Sequence, residues 1–269
     1  MRVCVTGANG YIGSHIVKKL PEYGHKIVDR FDEDLDTLIH CAWSHLYDYN
    51  NTMHITDLKE HIDTLLYPLP QNLVVIGTCL EYGLQEGCLS ENMPTNPVTQ
   101  YGLAKDTLRK FLQICQHRRE FSLKWIRLFY PIGDGGRSII ANLDRAEQSG
   151  AKVFNMSEGN QLRDFINIDT AVDVIIRIAQ SDFDGVVNVC SGTPITVGEL
   201  VEKHIKENDY KIKQNYGYYK LPEYEPKNFW GDTTTMQRIL NENKTENRFE
   251  KQDRTTMCDT FDNPVHYQC

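Results

Sequence analysis

The chain has 269 residues, of which 40% are hydrophobic and 25% are charged, and its formal net charge is -8. The composition is that of a globular protein with a sizeable core, and the acidic balance argues against broad nucleic-acid binding. The eight cysteines are scattered without any CxxC or Cys/His ligand spacing, so we expect no metal site. The N-terminus enters a strand at once, and no apolar run approaches the ~20 residues that span a bilayer. We therefore expect a soluble, cytoplasmic protein that needs no membrane.

Strand-like and helical patterns alternate through the first half of the chain. In chain order they are a strand at 2–6, a helix at 12–20, strands at 26–29 and 37–41, a helix at 54–66, a strand at 73–76, a helix at 98–116 and a strand at 124–128. Continuously apolar strands indicate burial on both faces, and their alternation with helices indicates right-handed βαβ units. The pattern predicts an α/β fold with a doubly wound parallel sheet.

The second half has a looser pattern. It contains a helix at 138–149, a strand at 152–154, a helix at 170–179, a strand at 186–189 and a helix at 197–207. We expect residues 1–130, with interleaved segments near 163–190, to form the sheet domain. Residues 131–162 and 191–240 are expected to form a smaller C-terminal lobe, and the polar stretch 241–269 a weakly ordered tail.

A glycine-rich turn lies directly between the first predicted strand and the first predicted helix. One glycine allows the tight turn, one lets a pyrophosphate approach the backbone, and one allows close helix–strand packing. The pyrophosphate would lie at the positive end of the helix dipole. We interpret the turn as a dinucleotide-binding site; the alternative is a simple tight turn. The residues expected to contact the dinucleotide there are Gly7, Asn9, Gly10, Tyr11, Ile12 and Gly13.

Asp29 and Arg30 follow the second predicted strand. An acid at this position accepts hydrogen bonds from the adenosine ribose and favours NAD, whereas Arg30 would meet the 2′-phosphate of NADP. Asp29 could equally be a strand-end turn residue. The expected cofactor is therefore NAD or NADP, with a preference for NAD.

Three residues have the side chains needed for acid–base chemistry on an oxygen atom. Tyr101 and Lys105, four residues apart, lie on one face of a predicted helix, and a lysine cation beside a phenol favours the phenolate. Thr78 ends an apolar strand, where its hydroxyl can hydrogen-bond a substrate oxygen. The alternative for Tyr101 and Lys105 is an ordinary exposed helix pair.

Six segments occur in the order expected of the extended short-chain dehydrogenase/reductase family. They are the glycine turn 7–13, LIHCAW at 38–43, IGTCLEYG at 76–83, YGLAK at 101–105, RLFYPIGDG at 127–135 and RDFINIDTAVD at 163–173. The chain resembles that family, and more narrowly its nucleotide-sugar epimerase/dehydratase/reductase branch, over roughly residues 1–205. The resemblance implies a Rossmann-like fold, an NAD or NADP cofactor and a C-terminal lobe that binds a nucleotide sugar.

The resemblance also implies residue roles. Thr78 occupies the family's Ser/Thr position, Tyr101 is the proton donor and acceptor, and Lys105 also binds the nicotinamide ribose. Further cofactor contacts are expected from Cys41, Ala42, Trp43 and Leu128. Very few residues separate Asp29 from the strand at 37–41, so the family's next strand, its preceding helix and an adenine-contacting acid are expected to be largely absent.

The residues after Thr78 differ from the family pattern. Sugar dehydratases carry Asp-Glu there, whereas this chain has Cys79 and Leu80, which argues against dehydration. Some epimerases carry an acid/base cysteine at the position of Leu80; Cys79 is one residue off and is expected to pack beside the substrate. Glu81 replaces a small apolar residue and could face the substrate or make a turn hydrogen bond.

Three more residues are expected to contact the substrate: Phe129, Tyr130 and Arg163. Tyr130 stands where the family has a substrate-binding asparagine, which indicates an altered sugar pocket. Arg163 matches an arginine that pairs with the nucleotide diphosphate; the alternative is a salt bridge with Asp164.

The remaining Thr/Tyr/Lys set suits hydride transfer at a sugar carbon. We expect a reductase of a nucleoside-diphosphate 4-keto-6-deoxyhexose in surface-polysaccharide precursor synthesis. The alternatives are a 4-epimerase that retains NAD and a non-catalytic dinucleotide sensor. A homodimer is expected from the resemblance.

Overall fold

The structure of the protein, a computed structural model, describes residues 1–32 and 34–242. Of the tail predicted at 241–269, residues 241 and 242 are described and end a helical stretch at 234–242; the rest lies outside the described residues. The strands are β1 Arg2–Thr6, β2 Lys26–Ile27, β3 Thr37–His40, β4 Asn72–Ile76, β5 Gly87–Leu89, β6 Ser122–Leu128, β7 Tyr130–Ile132, β8 Val153–Asn155, β9 Leu162–Asn167, β10 Gly185–Val189, β11 Pro194–Thr196, β12 Lys213–Asn215 and β13 Phe229–Gly231. The helices are α1 Tyr11–Lys19, α2 Met53–Thr56, α3 Leu58–Leu66, α4 Gln100–Gln116, α5 Ile139–Gln148, α6 Ile168–Gln180 and α7 Val197–Glu207.

The main sheet has six strands in the spatial order β2-β1-β3-β4-β6-β10, and every pair in it is parallel. This confirms the predicted α/β fold. The strand β2 lies on one side of β1, whereas β3 and the strands that follow it lie on the other side. The direction in which strands are added to the sheet therefore reverses between β1 and β3. Ligands of such sheets bind beyond the carboxyl ends of the strands at this point.

Side chains of each central strand alternate between two apolar layers. In β4, Val74 and Ile76 pack with α1 and α6, whereas Leu73 and Val75 pack with α3 and α4. Both faces of the sheet are therefore covered by helices, which is why the strands read as uninterrupted apolar runs rather than as alternating ones. The doubly wound arrangement is confirmed.

The edge of the sheet beside β2 is abbreviated. The strand predicted at 26–29 pairs with β1 only over Lys26–Ile27, and the described residues between β2 and β3 form no helix or strand. The connection is pinned by Arg2, whose backbone N–H donates to Asp36 at 2.6 Å and whose guanidinium pairs with Asp32. Nothing in the described residues extends the sheet beyond β2.

Two other expectations differ from the structure. The helix predicted at 54–66 is divided into α2 and α3 at Asp57, which ends one helix and begins the next. The six-residue strand β9 was not predicted, because its sequence LRDFIN carries two buried charged residues, Arg163 and Asp164, in place of an apolar run.

The segments assigned to the smaller lobe have an apolar cluster of their own. It lies between α5, α7 and the two-stranded sheet β8–β12, and its buried members are Leu143, Met156, Val197, Val201 and Ile212. The small sheet β7–β9–β11 begins directly after β6 and joins this cluster to the main sheet.

Candidate functional site

A cavity of about 1460 Å³ opens at the carboxyl ends of β1, β3, β4 and β6 and continues between them and the smaller lobe. It lies where the winding of the sheet reverses. One end is lined by the glycine-rich turn, the middle by Thr78 and Tyr101, and the other end by residues of β8, β9 and the loop before β13. A single cavity therefore has room for two ligands side by side.

The glycine turn forms an anion cradle. Gly7 has φ +70°, and a Cβ on it would lie 2.6 Å from the Ala42 backbone nitrogen, so a side chain there would collide with the residue after β3. Gly10 is the N-cap of α1 and offers no side-chain hydrogen bond, which leaves the first N–H groups of the helix without acceptors. The residues that carry these N–H groups, Tyr11, Ile12 and Gly13, line the cavity, and a free helix N-terminus with its dipole suits the pyrophosphate of a dinucleotide.

Most of the predicted cofactor residues line this cavity. They are Gly7, Asn9, Gly10, Tyr11, Ile12, Gly13, Cys41, Trp43, Tyr101 and Leu128. Ala42 instead packs on Gly7 from behind the turn, and Lys105 lies directly beneath Trp43.

Asp29 and Arg30 lie outside the cavity lining. Asp29 is exposed and accepts a hydrogen bond from the Phe31 backbone N–H at 3.0 Å. Arg30 donates to the carbonyl oxygens of Thr64 and Pro68 at the end of α3. The Arg30 guanidinium is thus turned toward the protein, which disagrees with its expected place beside a 2′-phosphate.

Thr78 and Tyr101 meet at the middle of the cavity. Thr78 caps the 3-10 turn Cys79–Tyr82, its hydroxyl accepts the Leu80 backbone N–H at 3.2 Å, and it lines the cavity together with the largely buried Tyr101. The approach of α4 to this turn depends on Gly102, since a Cβ there would lie 2.8 Å from the Leu80 carbonyl oxygen. Burial raises the pKa of Tyr101, although the neighbouring Thr78 hydroxyl opposes the rise.

Lys105 is engaged by two neighbours other than Tyr101. Its Nζ donates to the Ile76 carbonyl at 2.6 Å and lies 3.8 Å from the centroid of the Trp43 ring, but 6.0 Å from the centroid of the Tyr101 ring. Burial lowers the pKa of Lys105 to about 7. The expectation that Lys105 lowers the pKa of Tyr101 is therefore wrong for the chain alone, because burial dominates at both residues.

Glu81 does not face the cavity. Its carboxylate is fully buried, accepts hydrogen bonds from the Thr78 backbone N–H, Trp125 Nε1 and Arg127 Nε at 2.9–3.0 Å, and lies 3.4 Å from Arg109 Nε. Of the two expectations for Glu81, substrate contact is not observed and the turn hydrogen bond is. The carboxylate holds the backbone of Thr78 in place.

Cys79 and Phe129 are buried and line the cavity beside Thr78. Burial raises the pKa of the Cys79 thiol, so the thiol stays protonated near neutrality. The Cys79 side chain therefore forms part of the pocket wall and does not act as a base.

Arg163 lines the cavity, but its expected partners differ from the observed ones. Its guanidinium donates to the Leu162 carbonyl at 2.8 Å, the Lys227 carbonyl at 2.9 Å and the Glu225 carboxylate at 2.7 Å. Asp164 points elsewhere and accepts hydrogen bonds from the backbone of Ser191, Gly192 and Gly231. The salt bridge with Asp164 is therefore not formed.

Several cavity residues were not anticipated from the sequence. Tyr49 stacks on Tyr101 with ring centroids 5.3 Å apart, and its carbonyl accepts the Tyr101 backbone N–H at 2.9 Å. Arg137, Lys220 and Glu225 also line the cavity. All four residues lie in loops, where no hydrophobic periodicity marks a position as facing a site. For Lys220 and Glu225 the sequence offered one signal of a binding loop, the tyrosine- and proline-rich composition of the segment before β13.

The described residues contain no candidate membrane span and no candidate metal site. None of their helices combines the length and apolar character needed to cross a membrane, and none of their His, Cys, Asp and Glu side chains form a group of three fit to hold a metal ion.

Comparison with known proteins identifies the family to which the chain is similar. The model of the NAD-dependent epimerase/dehydratase family matches residues 31–190. The dTDP-6-deoxy-L-talose 4-dehydrogenase (NAD(+)) of Aggregatibacter actinomycetemcomitans is 29% identical over 269 residues, which cover 86% of this chain and 99% of that relative. GDP-mannose 3,5-epimerase 1 of Oryza sativa subsp. indica is 25% identical over 79% of this chain and 70% of its own length.

The fold also matches solved structures. The UDP-N-acetylglucosamine 4-epimerase from Methanobrevibacter ruminantium M1 in complex with UDP-N-acetylmuramic acid superposes with a TM-score of 0.74 and 20% identity. The match covers 88% of this chain and 91% of that one. At this identity the likeness concerns the fold.

Proposed function

The chain belongs to the NAD-dependent epimerase/dehydratase family, and on that premise we propose that it is an NAD-dependent reductase of a nucleoside-diphosphate 4-keto-6-deoxyhexose. The observation that carries the proposal is the largely buried Tyr101 phenol, which lines the cavity together with Thr78 and has a raised pKa. A phenol held in its protonated form is ready to donate a proton, which is what the oxygen of a carbonyl needs as its carbon is reduced.

In the proposed reaction Thr78 and Tyr101 orient the C4 oxygen of the sugar. The bound cofactor supplies a hydride to C4. Tyr101 gives its proton to the C4 oxygen at the same time, and the protonated form of Lys105, whose Nζ lies 6.0 Å from the Tyr101 ring centroid, stabilises the phenolate that remains. Solvent then returns a proton to Tyr101.

Elimination of water and epimerisation beside the ketone both need a second acid or base, and Cys79 and Leu80, the residues directly after Thr78, supply neither a carboxylate nor a thiolate. Asp134 and Glu225 are the carboxylates in the cavity lining of the described chain. Glu225 is ion-paired with Arg163, and the Cys79 thiol is protonated. One proton donor with a hydrogen-bonding hydroxyl is sufficient for a reductase.

The cofactor would lie along the glycine turn, with its nicotinamide beside Trp43, Tyr101 and Leu128. NAD rather than NADP is supported by the Arg30 guanidinium, which is turned away, and by the exposed Asp29 carboxylate, which would repel a 2′-phosphate. A relative named as an NAD(+)-dependent 4-dehydrogenase of a dTDP-linked 6-deoxyhexose agrees with both the cofactor and the sugar. Its named reaction, run backwards, reduces a 4-keto-6-deoxyhexose.

The nucleotide sugar would occupy the part of the cavity between Tyr101 and the smaller lobe. Arg137 and Lys220 line this part, are exposed, and form no ion pair within the described residues. They are the cations available for the diphosphate, since Arg163 is already engaged. We place the reaction in the synthesis of surface-polysaccharide precursors.

A homodimer is also proposed. The outer face of α4 exposes Leu103, Phe111 and Ile114 along one stripe, an apolar surface that a second copy would cover. Sedimentation at micromolar concentration should give about twice the mass of one chain, and a monomer would contradict the proposal.

The proposed activity is tested by incubating the protein with NADH and dTDP- or GDP-linked 4-keto-6-deoxyhexoses while following absorbance and product stereochemistry. A reductase consumes one NADH per sugar. Interconversion of 4-epimers without net cofactor change would establish an epimerase, and cofactor binding without turnover a sensor. Tyr101→Phe should abolish turnover and spare NAD binding, whereas Tyr210→Phe, which removes a hydrogen bond to Asp144 outside the cavity, should retain turnover.

A further inference from the structure

The Tyr130 hydroxyl is buried in the cavity wall without a partner. Tyr130 begins β7 directly after Phe129, and its ring is fixed between Phe165 and Phe229, with centroids 5.8 and 6.0 Å away. Its oxygen is shielded from solvent and has no hydrogen-bond partner in the described residues. An unpaired buried hydroxyl costs about 1–3 kcal/mol, so such groups are retained where something outside the chain satisfies them.

Glu225 supplies a carboxylate to the same part of the cavity. Its side chain is 18% exposed and is held by Arg163 Nη2 at 2.7 Å. Arg163 is itself fixed by two backbone carbonyls and lies over the ring of Phe229. Only one of the two Glu225 oxygens is engaged by this contact, and the other remains free to accept hydrogen bonds.

Both groups are close to the proposed reaction centre. The charges of Glu225 and Arg163 act on the pKa of Tyr130 and of Cys79, and Cys79 follows Thr78 in the chain. Tyr49, stacked on Tyr101, also contacts the edge of Tyr224, the neighbour of Glu225. Tyr130 and Glu225 therefore line the same cavity as Tyr101 and Thr78, and Tyr49 and Cys79 connect the two groups.

We propose that the Tyr130 hydroxyl and the Glu225 carboxylate form a subsite for the ring hydroxyl groups of an uncharged hexose, with Arg163 as the positioning residue for Glu225. The subsite rests on the proposed function and deepens it, because it specifies the sugar class. A carboxylate accepts hydrogen bonds from sugar hydroxyls, and the phenol can donate to one and accept from another. A hexuronate is disfavoured, because its carboxylate would meet Glu225 while the charge of Arg163 is already neutralised.

The test compares the affinity of the protein for a nucleotide sugar with its affinity for the corresponding free nucleotide. Binding of UDP-glucose, UDP, dTDP-glucose and dTDP to the full chain with NAD present is measured by calorimetry, and the affinity ratio of nucleotide sugar to nucleotide isolates the sugar contacts. We expect Tyr130→Phe to lower this ratio about fivefold, the equivalent of one hydrogen bond, and Glu225→Gln about tenfold. The affinity for free UDP or dTDP should stay unchanged in both variants.

Charge selectivity gives a second measurement. The wild-type protein should bind UDP-glucose more tightly than UDP-glucuronate, and Glu225→Gln should reduce that preference about tenfold while retaining a hydrogen bond to Arg163. Tyr130→Phe, which leaves the charge of Glu225 in place, should not change the preference for UDP-glucose over UDP-glucuronate.

Stability separates recognition from a structural role. Because the Tyr130 hydroxyl has no internal partner, Tyr130→Phe should leave the Tm of the ligand-free protein unchanged or raise it. The matched control Tyr210→Phe breaks the hydrogen bond to Asp144 and should lower the Tm without altering the affinity ratio. If Tyr130→Phe lowers the Tm as the control does, the hydroxyl has an internal partner and the subsite is refuted.

The outcomes distinguish failure of the proposed subsite from failure of the proposed function. Nucleotide binding with an affinity ratio that neither Tyr130→Phe nor Glu225→Gln changes would overturn the subsite and leave the reductase proposal standing. Failure of UDP, dTDP and GDP, and of their nucleotide sugars, to bind the NAD-loaded wild-type protein would refute both.

Discussion

Replacing Lys105 by methionine should abolish turnover and, in the ligand-free protein at pH 7, increase stability. Lys105 is 2% exposed, and burial lowers its pKa from 10.5 to about 7. A shift of this size corresponds to about 5 kcal/mol of cost for keeping the lysine in the folded chain at neutral pH. Methionine is of similar length, has no charge, and loses about 1–2 kcal/mol with the hydrogen bond to Ile76. The net gain is about 3 kcal/mol.

The gain should depend on pH with a definite sign. Between pH 7 and 10.5 the unfolded chain holds the Lys105 proton and the folded chain does not, so the stability of the wild-type protein rises by about 1.4 kcal/mol per pH unit relative to the variant. Urea denaturation at pH 7 and pH 9 should therefore show the advantage of Lys105→Met shrinking. Below pH 7 both states are protonated and the advantage should be constant.

Lys124 provides the matched control. It is also buried, burial lowers its pKa to about 8, and its Nζ donates to Asn72 and Ser122 on the side of the sheet away from the cavity. Lys124→Met should change stability less, because it loses two hydrogen bonds, and should leave kcat unaltered. A Lys105→Met variant less stable than wild type at pH 7, or with a pH-independent difference, would refute the reasoning.

Two further predictions concern Glu81 and Asp29. Glu81→Gln should destabilise the protein by about 3–5 kcal/mol in chemical denaturation, because Arg127 would keep a buried charge without a counter-ion and Arg109 would keep only Asp106; a stable variant with a raised KM would instead identify Glu81 as a substrate ligand. Asp29→Ala should weaken NAD binding about tenfold in calorimetry, by removing an acceptor for the adenosine ribose, while NADP binding stays the same or improves. Equal losses for the two cofactors would show that Asp29 does not select between them.

Local sequence determined the main sheet and the place of the cavity. Uninterrupted apolar runs such as Leu73–Ile76 need cover on both faces, and this requirement led directly to the doubly wound sheet that is observed. The glycine turn could be located because its glycines stand directly between a strand pattern and a helix pattern, although the space at Gly7 is limited by Ala42, which only folding brings there. Strands as short as β13 and as charged as β9 could not be found this way, since tertiary contacts alone hold them.

The chemical state of the site was decided by tertiary contacts. Tyr101 and Lys105 suggest phenolate stabilisation when seen four residues apart, but Trp43 and the Ile76 carbonyl engage the lysine, and burial raises the tyrosine pKa. The partner of Arg163 is Glu225, from a loop 62 residues further along the chain. Backbone patterns depend on near neighbours and can be read from the chain, whereas the charge, pKa and orientation of a buried polar side chain depend on groups that only folding brings beside it.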